Sequence, residues 1–170
     1  MKRLFSPWRS AYISSFRNDS TDTGCLFCSV ATANQDAKNL ILLRRDTCFV
    51  IMNLYPYNNG HCMVVPYRHT PFMKELTRTE NAEIMRTISD VMEALDNAMG
   101  PHGYNVGANL GRVAGAGIDQ HLHFHIVPRW SGDTNFMPTL ADVKLVSEDL
   151  KVSYRKLRRV LGRKKKRGSR

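Results

Sequence analysis

The sequence predicts an α+β domain: a mainly antiparallel five-stranded sheet, one long central helix and a C-terminal helix. Three observations carry that class. Five short apolar stretches of strand character are separated by turn-rich loops. The stretch from Thr77 to Met99 has helical periodicity between its own start and stop signals. Residues 120–128 alternate histidine with apolar side chains, which is the period of a strand.

Residues 1–23 read as an irregular arm whose polar DSTDTG loop leads into CLFC. Asn39 to Arg44 and Cys48 to Leu54 read as strands joined by a turn at Arg45-Asp46. YPYNNGH is a turn-rich connection, and Cys62 to Pro66 forms a hairpin with the strand before it. Thr77 and Glu80 have capping-box spacing. Ile84, Ile88, Val91, Met92, Leu95 and Met99 then trace one apolar stripe, which Gly100-Pro101 ends. Tyr104 to Asn109 is the fourth strand, the GRVAGAG loop follows, and Gln120 to Pro128 is the fifth strand. After the SGDTNFMP loop, Val143, Val146, Leu150, Tyr154, Leu157 and Leu161 mark a helix from Thr139 to Leu161. Residues 162–170 are a basic tail. The domain proper is expected over 24–138.

The apolar runs are too short to span a membrane. No apolar stretch follows Lys2 and Arg3, so a secretory leader is not expected and the cytoplasm is. Charge is unevenly placed. Of 25 Lys and Arg, 11 fall in residues 151–170, where there is no Asp or Glu, and the rest of the chain nets −1. That tail reads either as a solvated extension or as a contact for polyanions such as nucleic acid. Cys48 and Cys62 sit in apolar runs and read as buried free thiols.

His121, His123 and His125 alternate with Leu122, Phe124 and Ile126, so one strand face carries all three imidazoles. Two chemistries suit such a strip. One is a catalytic zinc site, with Asp119 on the same face. The other is nucleophilic attack on phosphorus by the central His123. The preceding loop, with Gly111, Gly115 and Gly117, can turn backbone N–H groups toward an anion, which favours the second. CLFC is either a redox pair or half of a zinc site. With His69 of PYRH and His121, Cys25 and Cys28 would complete a closed Cys₂His₂ structural site.

QHLHFHIVPRW resembles the HφHφHφφ signature of the histidine-triad superfamily. GHCMVVPYRH resembles its second strand and following turn, CLFC its zinc-binding branch, and NVGANLGRVAGAG falls in the expected order. The resemblance covers residues 24–138. LFSPWRSAYI and WSGDTNFMP further resemble a bacterial branch that includes diadenosine tetraphosphate phosphorylases.

This resemblance implies a homodimeric nucleotidyl transferase or hydrolase acting on dinucleoside polyphosphates, with phosphate as the second acceptor. It implies His123 as the nucleophile, with His125 and His121 binding or orienting phosphate unless zinc holds His121. Asn53 would bond the ribose, Ile51 and Leu54 would pack on the base, and Asn109, Gly115, Ala116 and Gly117 would meet phosphate. A magnesium ion would accompany a polyphosphate substrate. The loop lacks the serine of the nucleoside-phosphoramidase branch, which weighs against that activity. The competing class is a zinc-stabilised nucleotide sensor whose basic tail docks on RNA.

Overall fold

The structure, a computed structural model, describes residues 24–133 and 148–167, with side chains on the last helix as far as Gly162. The expected arm over 1–23, residues 134–147 and residues 168–170 lie outside that range. Five strands, β1 (Ile41–Arg44), β2 (Cys48–Met52), β3 (Cys62–Pro66), β4 (Gly103–Gly107) and β5 (Phe124–Arg129), form one sheet in the order β1-β2-β3-β5-β4. Every pairing is antiparallel. Among the described residues, three helices flank it: α1 (Leu26–Thr32), α2 (Arg78–Met99) and α3 (Leu150–Arg167).

Strand alternation sorts the apolar side chains into two layers. Cys48, Val50, Met52, Cys62, Val64, Leu122, Phe124 and Ile126 face α2 and α3, where Ile84, Ile88, Val91, Leu95, Leu157 and Leu161 meet them. Ile41, Phe49, Ile51, Met63 and Val65 face the other way, against Phe27 of α1. Both faces are covered, which is why β2 and β3 read as unbroken apolar runs. Each such aliphatic side chain taken fully from water contributes about 1.5–3 kcal/mol.

The capping box at α2 is present. The Thr77 side chain accepts from the Glu80 N–H at 3.2 Å, and the Glu80 carboxylate accepts from the Thr77 N–H at 2.7 Å. Gly100 ends the helix in the left-handed region. Gly60, at φ 71°, is required for a second reason. A Cβ there would be strained at that φ and would lie 2.7 Å from the Met99 sulfur, so a side chain would force the packing of the β2–β3 connection on α2 to shift.

Several boundaries differ from expectation. The cysteine pair, for which the sequence suggested no element, lies at the start of the seven-residue helix α1, with Cys25 as its N-cap. β5 begins at Phe124 rather than Gln120. The β3–β5 register runs from Cys62↔Ile126 to Val64↔Phe124, and its extension would set Leu122 opposite Pro66, which has no N–H to donate. β1 starts two residues later than expected, β2 ends at Met52 rather than Leu54, and β4 spans Gly103–Gly107. The last helix starts at Leu150 because the Asp149 carboxylate accepts from the N–H groups of Lys151 and Val152. It runs on to Arg167, six residues beyond the expected end, since Lys and Arg are good helix formers.

Candidate active site and metal centre

Register builds the floor of a cavity. Ile41 pairs with Ile51, Ile51 with Met63, Met63 with His125, and His125 with Gly107. Directly opposed residues share a face, so this row crosses the sheet on the α1 side. From β1 to β5 it extends about 14 Å, at roughly 4.8 Å per strand. The cavity above it has a volume of about 370 Å³, within the ~300–1,000 Å³ of small-ligand sites. Leu26, Phe27 and Val30 of α1 form its wall. Lys38, Asn39 and Leu40 lie at the β1 end, and Asn109, Gly115, Gly117 and Ile118 at the β5 end with His123 and His125.

Hydrogen bonds to groups of fixed polarity set the tautomers of the neutral imidazoles. The carbonyl of His121 can only accept, so His123 donates from Nδ1 at 2.8 Å and keeps a lone pair on Nε2. The backbone N–H of Tyr57 can only donate, so Nδ1 of His61 accepts at 3.0 Å. Nε2 of His61 then donates to Nδ1 of His125 at 2.9 Å, which leaves the His125 proton on Nε2. The two rings at the cavity, 4.9 Å apart between centroids, thus offer it a lone pair and an N–H donor. Burial holds His123 below the ordinary imidazole value, which keeps it neutral. Asn53, whose carbonyl oxygen accepts from the Tyr55 N–H at 3.0 Å, lies at the cavity wall beside this relay.

One arginine locks the wall in position. Arg44 donates to the carbonyls of Val30, Ala31 and Ala33, at 3.4, 2.6 and 3.3 Å, and closes a pair with Asp36 at 2.9 Å. It supplies donors to carbonyls that the end of α1 leaves without helical partners.

Behind the wall, Cys25, Cys28, His69 and His121 converge, with all four ligand atoms within 4.8 Å of one another. Cys25 Sγ lies 3.2 Å and Cys28 Sγ 3.6 Å from His121 Nδ1, and the two Nδ1 atoms are 3.3 Å apart. A tetrahedral zinc with Zn–S and Zn–N bonds of about 2.3 and 2.05 Å sets its ligands about 3.3–3.8 Å apart, so the cluster fits. Nε2 of His121 donates to the Pro66 carbonyl at 2.9 Å, which leaves Nδ1 as the lone-pair atom facing the cysteines. Burial, then Cys25, raises the Cys28 thiol above its ordinary value.

Of the expected substrate contacts, Asn53, Ile51, Leu54, Asn109, Gly115 and Gly117 line the cavity with His123 and His125. Ala116 does not. Its N–H points back to the Gly111 carbonyl at 3.4 Å. His121 is likewise absent from the lining; its ring turns to the Pro66 carbonyl and the cysteine cluster instead. Asp119 pairs with Arg112 at 2.6 Å and takes no part in a metal cluster, so the strip is not the zinc site that Asp119 would complete. Sequence reasoning missed the α1 wall, Tyr57, Met63 and His61. The only signal for His61 was its place two residues before Met63, on the face that β5 completes.

A family model described as the HIT domain matches residues 34–132. The AP-4-A phosphorylase of Mycobacterium tuberculosis (strain CDC 1551 / Oshkosh) is 36% identical over 162 residues, covering 92% of this chain and 83% of that protein. A Zn-bound histidine triad family protein from Mycobacterium smegmatis superposes with a TM-score of 0.68 at 24% identity, over 84% of this chain and 96% of the other. A hypothetical histidine triad nucleotide-binding protein from Sulfolobus tokodaii strain7 superposes with a TM-score of 0.66 at 25% identity, over 83% and 94%. With more than half of its length matched by the domain model, the chain belongs to the HIT-domain family.

Proposed function

We propose that this enzyme cleaves dinucleoside polyphosphates of the diadenosine tetraphosphate kind through a nucleotidyl-His123 intermediate, with phosphate as the second acceptor. The observation that carries the reading is the Nδ1 hydrogen bond of His123 to the His121 carbonyl, which leaves the Nε2 lone pair for attack. That lone pair would form a bond to an outer phosphorus, and the bond from phosphorus to the bridging oxygen would break. The bridging electron pair leaves with the nucleoside triphosphate. His125 Nε2–H, Asn109 and the loop amides would meet the charge on the phosphoryl oxygens, each donor worth about 3–4 kcal/mol. A phosphate oxygen then attacks the same phosphorus, the P–N bond breaks, and its electrons return to Nε2. Ile51 and Leu54 would hold the base and Asn53 the ribose. Any magnesium would arrive with the polyphosphate.

Product analysis with diadenosine tetraphosphate tests this. ADP and ATP formed only when phosphate is added is the expected result. AMP and ATP, indifferent to phosphate, would mark a hydrolase. No turnover of any dinucleoside polyphosphate or nucleoside phosphoramidate would overturn the enzyme reading itself. The relative's phosphorylase name, at 36% identity, supports phosphate over water.

Zinc is proposed on Cys25, Cys28, His69 and His121. Four protein ligands leave no open position, so its contribution is structural. We take residues 24–138 as the catalytic domain. No described helix is long and apolar enough to cross a membrane. A cytoplasmic setting is supported by four cysteines of which none is paired in a disulfide. Nucleic acid is a proposed second partner, on account of the charge of α3.

The homodimer is supported by β4. It is an edge strand whose last three residues are exposed, with Val106 45% exposed and Leu110 50%. Antiparallel edges of two copies can pair about a two-fold axis. Sedimentation should give a particle of twice 19.4 kDa. A monomer at micromolar concentration would refute the proposed assembly.

A further inference from the structure

The inner side of α3 is spent on the core: Ser153, Leu157 and Leu161 are buried there. The outer side carries Lys151, Arg155 and Arg159, all exposed, at intervals of four residues. That spacing sets the three cations in a row about 6 Å apart. Two other cations of the helix have acidic partners, Lys156 with Glu148 and Arg158 with Asp36. Lys151, Arg155 and Arg159 make no ion pair among the described residues. The backbone stays helical through the RKKKR run to Arg167, and residues 150–170 include no Asp or Glu. The sheet separates this helix from the cavity, since α3 packs on one face and α1 and the cavity lie on the other.

We propose that the outer face of α3 docks the enzyme on the phosphodiester backbone of a nucleic-acid duplex. A cationic row that makes no ion pair among the described residues attracts phosphates irrespective of sequence. A lipid surface fits less well, because a helix lying on a bilayer needs a free apolar face and that of α3 is used inside the protein. Base stacking is not part of the contact. Tyr154, the one aromatic residue of α3, turns inward and donates to the Ile41 carbonyl at 3.2 Å. Docking leaves the cavity open, so duplex and small substrate bind at once.

The test is fluorescence anisotropy of the full chain with labelled RNA and DNA duplexes of one sequence, about twenty base pairs long, between about 50 and 200 mM salt. The wild type should bind at least one duplex, with log K falling linearly against log salt. Lys151→Gln/Arg155→Gln/Arg159→Gln should weaken binding about tenfold or more and lower the salt slope by about three. Turnover of diadenosine tetraphosphate should stay unchanged, which also reports correct folding. Saturating dinucleoside polyphosphate should not displace the duplex, and the stronger of the two arms identifies the source of the backbone. Equal affinity and slope in the triple variant would overturn the proposal. So would an absence of saturable duplex binding at low salt, including the case where phosphatidylserine vesicles retain the protein instead.

Discussion

Replacing His123 with Asn, or with Ala, abolishes turnover of diadenosine tetraphosphate, with an expected loss in kcat of at least about 10⁴-fold. Binding of the substrate changes little, because the apolar wall of Leu26, Phe27 and Val30 and the floor of Ile51 and Met63 are untouched. The Asn side chain can still donate to the His121 carbonyl, but it offers no lone pair basic enough to attack phosphorus. The measurement is single-turnover kinetics with labelled substrate. Acid quench would destroy the labile P–N adduct, so the wild type is quenched in alkali, which preserves labelled protein, and the variant gives none. A variant that keeps turnover within tenfold of the wild type would remove His123 from the nucleophile's role.

The second large effect follows from the four-ligand cluster. Protein purified without chelator should hold about one zinc per chain. Cys25→Ala should lower that stoichiometry and cost about 3–5 kcal/mol, a fall in Tm of roughly 10 °C for a chain of this size. The loss would also slow catalysis. His121 offers Nδ1 to the cluster, Nε2 to Pro66 and its carbonyl to the nucleophile, so a ring released from the metal loosens the bond that sets the His123 tautomer. Calorimetry and metal analysis of the same preparation check both parts. Full zinc content with an unshifted Tm would exclude this ligand set.

Much of this site was legible in the chain because its signals are local. Alternation of His121, His123 and His125 is a period-two pattern, and the opposing Leu122, Phe124 and Ile126 do enter the core on the other face. The capping box at Thr77 and Glu80 is equally local. What escaped depends on partners distant in sequence. A seven-residue helix such as α1 holds too few turns to show a period, so Phe27 gave no sign that it would line the cavity and pack on the rings of His121 and His123. The strand boundary at Phe124 depends on Pro66 lying opposite, 56 residues upstream of Leu122. His61 finds His125 only once β3 and β5 are in register. The closure of α1 by Arg44 likewise exists only after β1 is in place.

The row that crosses the sheet from Ile41 to His125 has a consequence for how such an enzyme can change. Under the proposed function, reaction chemistry would sit on β5 and the loop before it, while contact with the base would fall to β1, β2 and α1. The two tasks occupy separate strands of one rigid surface, with Met63 between them. Substitutions at Ile51, Leu54 or Val30 can therefore retune which nucleoside is accepted without moving the nucleophile, and drift in the loop can alter the acceptor without disturbing base selection. The scaffold lets recognition and reaction evolve as independent modules.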